Sequence, residues 1–463
     1  MKKRISKTIF REYDIRGIVN ETLYEADAYL IGKGFCSLSS NKNIKTIAVG
    51  RDGRLSSLKI SQSLINGILQ SGVDVIDIGC GPTPMLYFTR PFLKVDAAIM
   101  VTGSHNPPNH NGFKIMIGDK SFFGTDIQNL YKFICEDEFI CGTGKLLKKN
   151  INENYINALL NSSGPFPNKK VIWDCGNGAT GEIISSLILK LPGEHQVLFE
   201  EIDGTFPNHH PDPVVDENLE LLRDKVLQTN ADLGIAFDGD GDRIGVLSKD
   251  RKLISGDILT AFLAGSILKE GKKEKIILDV KCSQTAINSI KKQNGALFIS
   301  RTGHSIIKTK LKEINAPLAG EMSGHIFFND KWNGVDDAPY AALRVLEEIK
   351  RREKGLVGFL DNLSEFYASP EIRIDCEDNI KFSIIARIQN EVVKNYKNSD
   401  LLTIDGIRAS SEKGWWLIRA SNTQAALIAR AEGVNQKGLI FLLQEIEKYL
   451  TQSGIEWNFK DIL

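Results

Sequence analysis

IAVGRD at residues 47–52, VIWDCG at 171–176 and IILDVK at 276–281 open three segments with one layout. Each is a short apolar run that ends on polar residues. Each leads, after a turn, into a helix-like stretch: LKISQSLINGILQ, GEIISSLILKL and TAINSIKKQ. A second strand-like run follows: VDVIDIG (73–79), HQVLFEEI (195–202) and ALFISRT (296–302). A third closes each segment: VDAAIMV (95–101), ADLGIAF (231–237) and INAPLAG (314–320). Short apolar runs bounded by turn residues read as strands, and strands alternating with helices predict α/β units with largely parallel sheets. The repeat therefore predicts three similar mixed α/β sheet domains, at residues 1–150, 151–252 and 253–364. The pattern then changes. SPEIRIDC, LLTIDGIR, WWLIRA and AALIARAEG read as strands, and KFSIIARIQNEVVKNY and GLIFLLQEIEKYL as helices. This predicts a fourth domain, α+β in class, over 365–463.

Beyond the third run the units diverge, into TGSHNP, DGDGDR and EMSGH. Open α/β sheets bind ligands beyond the carboxyl ends of their strands. Three different polar loops at one place in three similar units could therefore face one cleft. Ser104, in the first loop, has four readings from the residues alone: nucleophile, phosphate carrier, helix cap or turn residue. In the second loop, Asp238, Asp240 and Asp242 alternate with glycines that let the backbone curl. Three carboxylates so close repel one another unless a cation sits among them, and hard oxygen ligands suit Mg²⁺, Mn²⁺ or Ca²⁺. An EF-hand is excluded by spacing, because its sixth and twelfth positions fall on Arg243 and Lys249. A solvated acidic turn is the structural alternative.

Glu321 and Ser323 in the third loop, read as an extended pair, project to one face and suit a sugar diol; a cap and turn is the plain alternative. RASNT (419–423) lies between two strands. Arg419 offers a forked cation, and Ser421, Asn422 and Thr423 offer short donors, a small phosphate cradle in a turn of common composition. GNGATG (176–181) fits G-x-G-x-x-G, with Glu200 and Glu201 further on. That pattern supports a dehydrogenase as a rival, but it leaves the serine and aspartate loops unexplained and reads as a tight strand-to-helix turn.

Composition narrows the class. Lys+Arg and Asp+Glu both number 58, which argues against a nucleic-acid or membrane-surface partner. An anionic ligand must then be held by a few local groups. The chain has 463 residues, more than one core usually fills. Its seven cysteines are scattered without a C-x-x-C pair and read as reduced core residues of a cytoplasmic protein. MKKRISKTIF is followed by REYD where a signal peptide needs its apolar stretch, and no run nears the ~18 apolar residues of a membrane span.

FREYDIRG (10–17), VGRDGRLS (49–56), TGSHNPPNHNGFK (102–114), FPNHHPDP (206–213), FDGDGDR (237–243), RTGHSIIK (301–308), GEMSGH (320–325), DGIR (405–408) and RASNT (419–423) run in order over nearly the whole chain. Together they resemble the α-D-phosphohexomutase superfamily, in its bacterial phosphomannomutase/phosphoglucomutase branch. The resemblance implies four domains around a central cleft. It implies reversible phosphoryl transfer between C6 and C1 of mannose or glucose phosphates, with glucose 1,6-bisphosphate or mannose 1,6-bisphosphate as intermediate and activator. Ser104 becomes the phosphoserine and, with Asp238, Asp240 and Asp242, a Mg²⁺ ligand. Glu321 and Ser323 would read sugar hydroxyls, and Arg419, Ser421, Asn422 and Thr423 would grip the phosphate that does not react. Arg16, Lys114 and Arg243 are candidate charge donors, and His105 adjoins the nucleophile. His304 and Lys114 are alternative bases. Tyr13, Lys281 and His325 are further candidate substrate contacts. The resemblance also suggests a monomer. Two features stand out against relatives: Gln424-Ala425 replaces a proline soon after SNT, and Met322 stands where glucosamine enzymes tend to carry glutamine. A serine phosphatase and a non-catalytic sugar-phosphate sensor are the remaining rivals.

Overall fold

The computed structural model describes residues 5–250, 252–268, 273–397, 400–422 and 424–462. Its strands form four sheets. In the first, Thr46–Arg51 lies between Asp74–Cys80 and Ala97–Val101 and is parallel to both. In the second, Lys169–Asp174 lies between Gly193–Leu198 and Leu233–Phe237, again parallel to both. In the third, Lys275–Asp279 lies between Ala296–Ser300 and Leu318–Gly320 in the same way. The threefold repeat is thus a repeat of three-stranded parallel cores. Their central strands are buried along four successive residues each, which is why they read as near-continuous apolar runs.

Each parallel core then reverses direction. Ala97–Val101 pairs antiparallel with His110–Ile117, Leu233–Phe237 with Ile244–Leu247, and Leu318–Gly320 with Ile326–Phe328. The sheets are therefore mixed where sequence suggested largely parallel ones. The three polar loops are the connections that make these reversals.

The C-terminal sheet is antiparallel throughout. Alternation sorts its side chains. Trp416, Ile418 and Ala420 face the helices Lys381–Val392 and Gln436–Gln452 in one core. Trp415 and Leu417 face the other way, onto Val280, the residue just past the strand Lys275–Asp279. A separate apolar core runs without a break through the first three sheets, from Ala48 through Trp173 and Ile276 to Phe359.

GNGATG forms the predicted strand-to-helix turn, before the helix Gly181–Ile188. Its glycines serve packing: a Cβ on Gly178 would come within 3.0 Å of the Gly239 carbonyl oxygen, and the Ala179 N–H donates to that oxygen at 2.9 Å. The turn braces the aspartate loop. All seven cysteines are free, but Cys135 and Cys141 are exposed and Cys80 is half-buried, so only the other four are core residues. No helix among the described residues is long and apolar enough to cross a membrane.

Candidate active site

Ser104 follows the buried strand Ala97–Val101 and is itself buried, with φ of 51°. Its hydroxyl donates to Asp238 Oδ2 at 3.0 Å and lies 3.3 Å from His105 Nδ1. Two residues absent from the sequence candidates hold the loop in this shape. The Asp52 carboxylate accepts from the Thr102 hydroxyl at 2.8 Å, the Gly103 N–H at 3.0 Å and the Arg54 guanidinium at 3.1 Å. Arg54 in turn donates to the carbonyls of Ser104 and Asn106, both at 2.6 Å, and of His110 at 3.1 Å. Its guanidinium lies over the Phe206 ring, 5.2 Å from the centroid, so the second unit roofs the serine loop of the first. VGRDGRLS carried these residues, but nothing in their spacing assigned them to a serine fifty positions away.

The aspartate loop is the tip of the Leu233–Phe237/Ile244–Leu247 hairpin. Gly241, at φ of 72°, makes the reversal possible. Asp238, Asp240 and Asp242 are fully buried, and one oxygen of each lies within 4.8 Å of the others. Asp238 Oδ1 accepts the backbone N–H groups of Asp242 and Arg243, both at 3.0 Å. Asp240 Oδ2 accepts from Lys114 Nζ at 2.7 Å and from the Thr83 hydroxyl; Asp242 Oδ2 accepts from Lys114 at 2.5 Å. The remaining oxygens, Oδ1 of Asp240 and of Asp242, are buried with no hydrogen-bond partner among the described residues, the Asp242 oxygen lying 3.6 Å from His325 Nδ1. Buried carboxylate oxygens do not normally stay unpaired. Two orphaned oxygens beside a third carboxylate and a serine hydroxyl fit a hard divalent cation.

The electrostatics agree. Burial, with repulsion from Asp242 and Asp240, pushes Asp238 well above the ordinary carboxylate range. Burial works against Lys114 too, but Asp240 and Asp242 more than offset it and hold the ammonium above its ordinary value. Lys114 therefore stands as a cation between Asp240 and Asp242. His105 is pushed well below its ordinary value by burial and by Arg243 and Arg16, and is neutral beside Ser104. Arg16 leans in from the strand Ile15–Ile18, paired with Asp14 at 2.7 Å and donating to the Gly103 carbonyl at 3.3 Å.

The third unit meets this loop through His325. Arg243 Nε donates to His325 Nε2 at 3.0 Å. The His304 and His325 rings stack, with centroids 5.5 Å apart. Burial and Lys308 lower His304 to about 4, with Asp336 opposing. Glu321 and Ser323 sit in a tight turn closed by the Glu321 N–H on the His325 carbonyl at 2.9 Å, not on an extended strand. The turn reverses Leu318–Gly320 onto Ile326–Phe328 and leaves no room for extended backbone. Glu321 Oε1 accepts the Gly303 N–H at 2.8 Å, and burial raises its pKa.

The fourth unit closes the ring. Arg419 Nε pairs with Asp405 at 3.0 Å, and the same Asp405 oxygen accepts the Thr302 N–H at 3.1 Å. Asn422 donates to the Tyr13 hydroxyl, which donates to the Thr302 carbonyl at 2.8 Å. Without a proline, the Gln424 N–H is free to donate to Ser421 Oγ, at 3.2 Å. Thr423 lies outside the described residues. Lys281 pairs with Glu371 at 3.0 Å, a fourth-unit carboxylate that sequence reasoning had not connected with it. Loops from all four sheets thus meet at one place.

The whole chain finds its relatives on the same layout. Its residues match the phosphoglucomutase/phosphomannomutase alpha/beta/alpha domains I, II and III at 7–139, 153–252 and 255–367, and the C-terminal domain at 371–448. The chain belongs to the phosphoglucomutase/phosphomannomutase family. It is 42% identical to a phosphomannomutase/phosphoglucomutase of Pseudomonas syringae pv. tomato over 432 residues, 93% of this chain and 92% of the relative. It is 37% identical to a phosphoglucomutase of Neisseria meningitidis serogroup A, over 94% of this chain and 95% of that one. Among solved structures, a phosphoglucomutase/phosphomannomutase family protein of Burkholderia thailandensis superposes with a TM-score of 0.92 at 35% identity, covering 98% and 99% of the two chains. As a phosphohexomutase, the chain places the motifs that carried the resemblance around a single site.

Proposed function

We propose that this phosphohexomutase moves a phosphoryl group reversibly between C6 and C1 of mannose and glucose phosphates, through phospho-Ser104 and a bound hexose 1,6-bisphosphate. The observation that carries this reading is the Ser104 hydroxyl on Asp238, beside two buried carboxylate oxygens that accept no hydrogen bond from the described residues. Asp238, Asp240, Asp242 and Ser104 are the residues that would hold Mg²⁺. When bound, the ion would neutralise charge on the transferring phosphoryl oxygens.

The chain's own residues supply the rest. Transfer of a phosphoryl group is governed by positioning and electrostatics. Asp52 and Arg54 hold the serine loop. Lys114, Arg16 and Arg243 bring fixed positive charge to it, and neutral His105 adjoins the serine oxygen. Glu321 and Ser323 are assigned to the sugar hydroxyls, with Tyr13, Lys281 and His325 as neighbours of the substrate. Arg419, Ser421, Asn422 and Thr423 are assigned to the phosphate that does not react. That phosphate site serves both orientations of the turning intermediate, because one phosphate occupies it each time. Of the two candidate bases, the raised pKa of Lys114 favours His304. We further assign the protein a monomeric state and a cytoplasmic location.

³¹P NMR with catalytic glucose 1,6-bisphosphate and Mg²⁺ tests this reading. Mannose 1-phosphate and glucose 1-phosphate should each give a growing 6-phosphate signal. Free inorganic phosphate would instead mark a hydrolase, and an unchanged spectrum with folded protein would mark a sensor.

A further inference from the structure

FPNHHPDP (206–213) carried part of the resemblance but received no role of its own. The loop that contains it lies between the serine loop and the aspartate loop. A Cβ on Gly204 would come within 2.5 Å of the Arg54 Cα, and one on Gly239 within 3.4 Å of the Pro211 Cγ. The Phe206 ring lies under the Arg54 guanidinium, and Asp212 Oδ1 faces Arg243 Nη1 at 3.9 Å. Phe206 has φ of 50°, a conformation that a bulky side chain keeps only where its surroundings enforce it. Something must therefore pin this loop.

His209 is placed to do so. Its Nε2 lies 3.1 Å from each carboxylate oxygen of Asp174, at the end of the strand Lys169–Asp174. Its Nδ1 lies 3.0 Å from the His210 carbonyl oxygen. A carbonyl and an ionised carboxylate only accept, so both ring nitrogens carry protons. A neutral ring would require Asp174 to hold the proton instead. The imidazole takes it in preference, since ordinary values are about 6.5 for histidine and about 3.9 for aspartate. Asp174 is fully buried, and among the described residues no lysine or arginine pairs with it. A buried carboxylate needs a partner of opposite charge, and the ring supplies it. The His210 carbonyl also accepts the Asp212 N–H at 2.9 Å, so the ring and Asp212 share one anchor.

We propose that His209 is a positioning residue: as an imidazolium it clips the 206–213 loop to Asp174, and the loop in turn steadies Arg54 on the serine loop and Arg243 beside the aspartate loop. The inference rests on the mutase reading above. Asp174 is the charged group that faces the ring; His210 presents its carbonyl, and Gly176 and Phe199, which also pack against the ring, bring no charge. The ring makes no hydrogen bond or ion pair with Ser104, Asp238, Asp240 or Asp242. Burial disfavours the charged ring, but the hydrogen bond and charge of Asp174 more than offset it and hold His209 above its ordinary value. The clip is therefore complete below the value of the unfolded chain and is lost as pH rises through the raised one.

Long-range ¹H–¹⁵N correlation spectra of labelled wild-type protein, titrated with pH, read the ring directly once its signal is assigned through the backbone. His209 should titrate above the ordinary value of about 6.5, with both nitrogens protonated on the acid side. A ring that titrates at or below that value overturns the proposal. His209→Gln keeps a donor for Asp174 but no charge. Its kcat at pH 6 should lie about 10–100-fold below that of the wild type, up to the scale of a 1 Å misplacement, with little change in KM. The gap should close as pH rises through the wild-type titration, because a neutral ring no longer clips the loop. An absent gap, or one that does not vary with pH, also overturns the proposal. Should the variant fail to fold, the wild-type titration decides alone. The same wild-type sample is assayed for sugar-phosphate interconversion. Its inactivity would count against the mutase reading, whereas a low titration point in an active enzyme counts only against His209.

Discussion

Ser104 sits at φ of 51°, in the left-handed region where a residue with a Cβ is uncommon. The surrounding structure over-determines it, since Asp52 collects the loop's donors and Arg54 its carbonyls. Gly103 makes this clamp possible. A Cβ there would stand 2.4 Å from the Arg54 Cζ and 2.7 Å from the His110 carbonyl oxygen. Gly103→Ala should therefore displace Arg54 and misplace the serine. Steady-state kinetics should show kcat down on the order of 10²-fold, the scale of a 1 Å misplacement, and a wild-type kcat would remove Arg54 from the account. At this scale the sequence was half legible. The three aspartates stood out because local spacing points to a cation, whereas Ser104 had four readings until the family resemblance singled it out. Asp52, Arg54, Thr83, Asp336 and Lys308 did not, because each acts on a partner that only the fold brings near.

At the scale of elements, the repeat was readable because buried parallel strands are uninterrupted apolar runs. The turn back to an antiparallel neighbour was not, since His110–Ile117, Ile244–Leu247 and Ile326–Phe328 look like any other strand in sequence. That reversal matters most, because it puts each functional loop on a hairpin tip anchored on both sides. It also bends Glu321 and Ser323 into a turn. Lys114 shows what one strand can do for another sheet. It stands on His110–Ile117, yet its ammonium sits between Asp240 and Asp242. Lys114→Met would leave two buried carboxylates, Asp240 and Asp242, without their paired cation. The metal-free variant should lose about 3–5 kcal/mol of stability, as broken buried pairs do, and Mg²⁺ should raise its Tm more than that of the wild type. Thermal melts with EDTA and with Mg²⁺ check this; equal metal-induced shifts would show that Lys114 does not share the cation's place.

On the scale of the molecule, three sheets share one apolar core while the fourth unit keeps its own. The fourth is docked largely by polar groups on the exit of Lys275–Asp279. Arg408 donates to the carbonyls of Val280 at 2.7 Å and Cys282 at 2.8 Å, and Arg430 to that of Lys281 at 2.6 Å. Arg408 also stacks 3.6 Å over Trp415. Arg408→Met leaves two buried carbonyls unpaired, at about 1–3 kcal/mol each. The midpoint of denaturation followed by tryptophan fluorescence should fall, and an unchanged midpoint would mean that the docking rests elsewhere. A site that must let a bisphosphate turn is well served by one wall held through hydrogen bonds and a small apolar patch at Val280, Trp415 and Leu417 rather than a large shared core. The separate C-terminal unit was legible from the change of pattern after the third repeat. Its docking was not, because arginines on backbone carbonyls leave no sequence signature.

The central claim is that Ser104 carries the phosphoryl group between the two ends of the sugar. The most direct measurement labels the enzyme with [³²P]glucose 1,6-bisphosphate, maps the labelled peptide, and chases with unlabelled glucose 1-phosphate. The account predicts label on Ser104 alone, absent from Ser104→Ala protein, and its complete passage through sugar bisphosphate into glucose 6-phosphate during the chase. Label on another residue, or its release as inorganic phosphate, would contradict it.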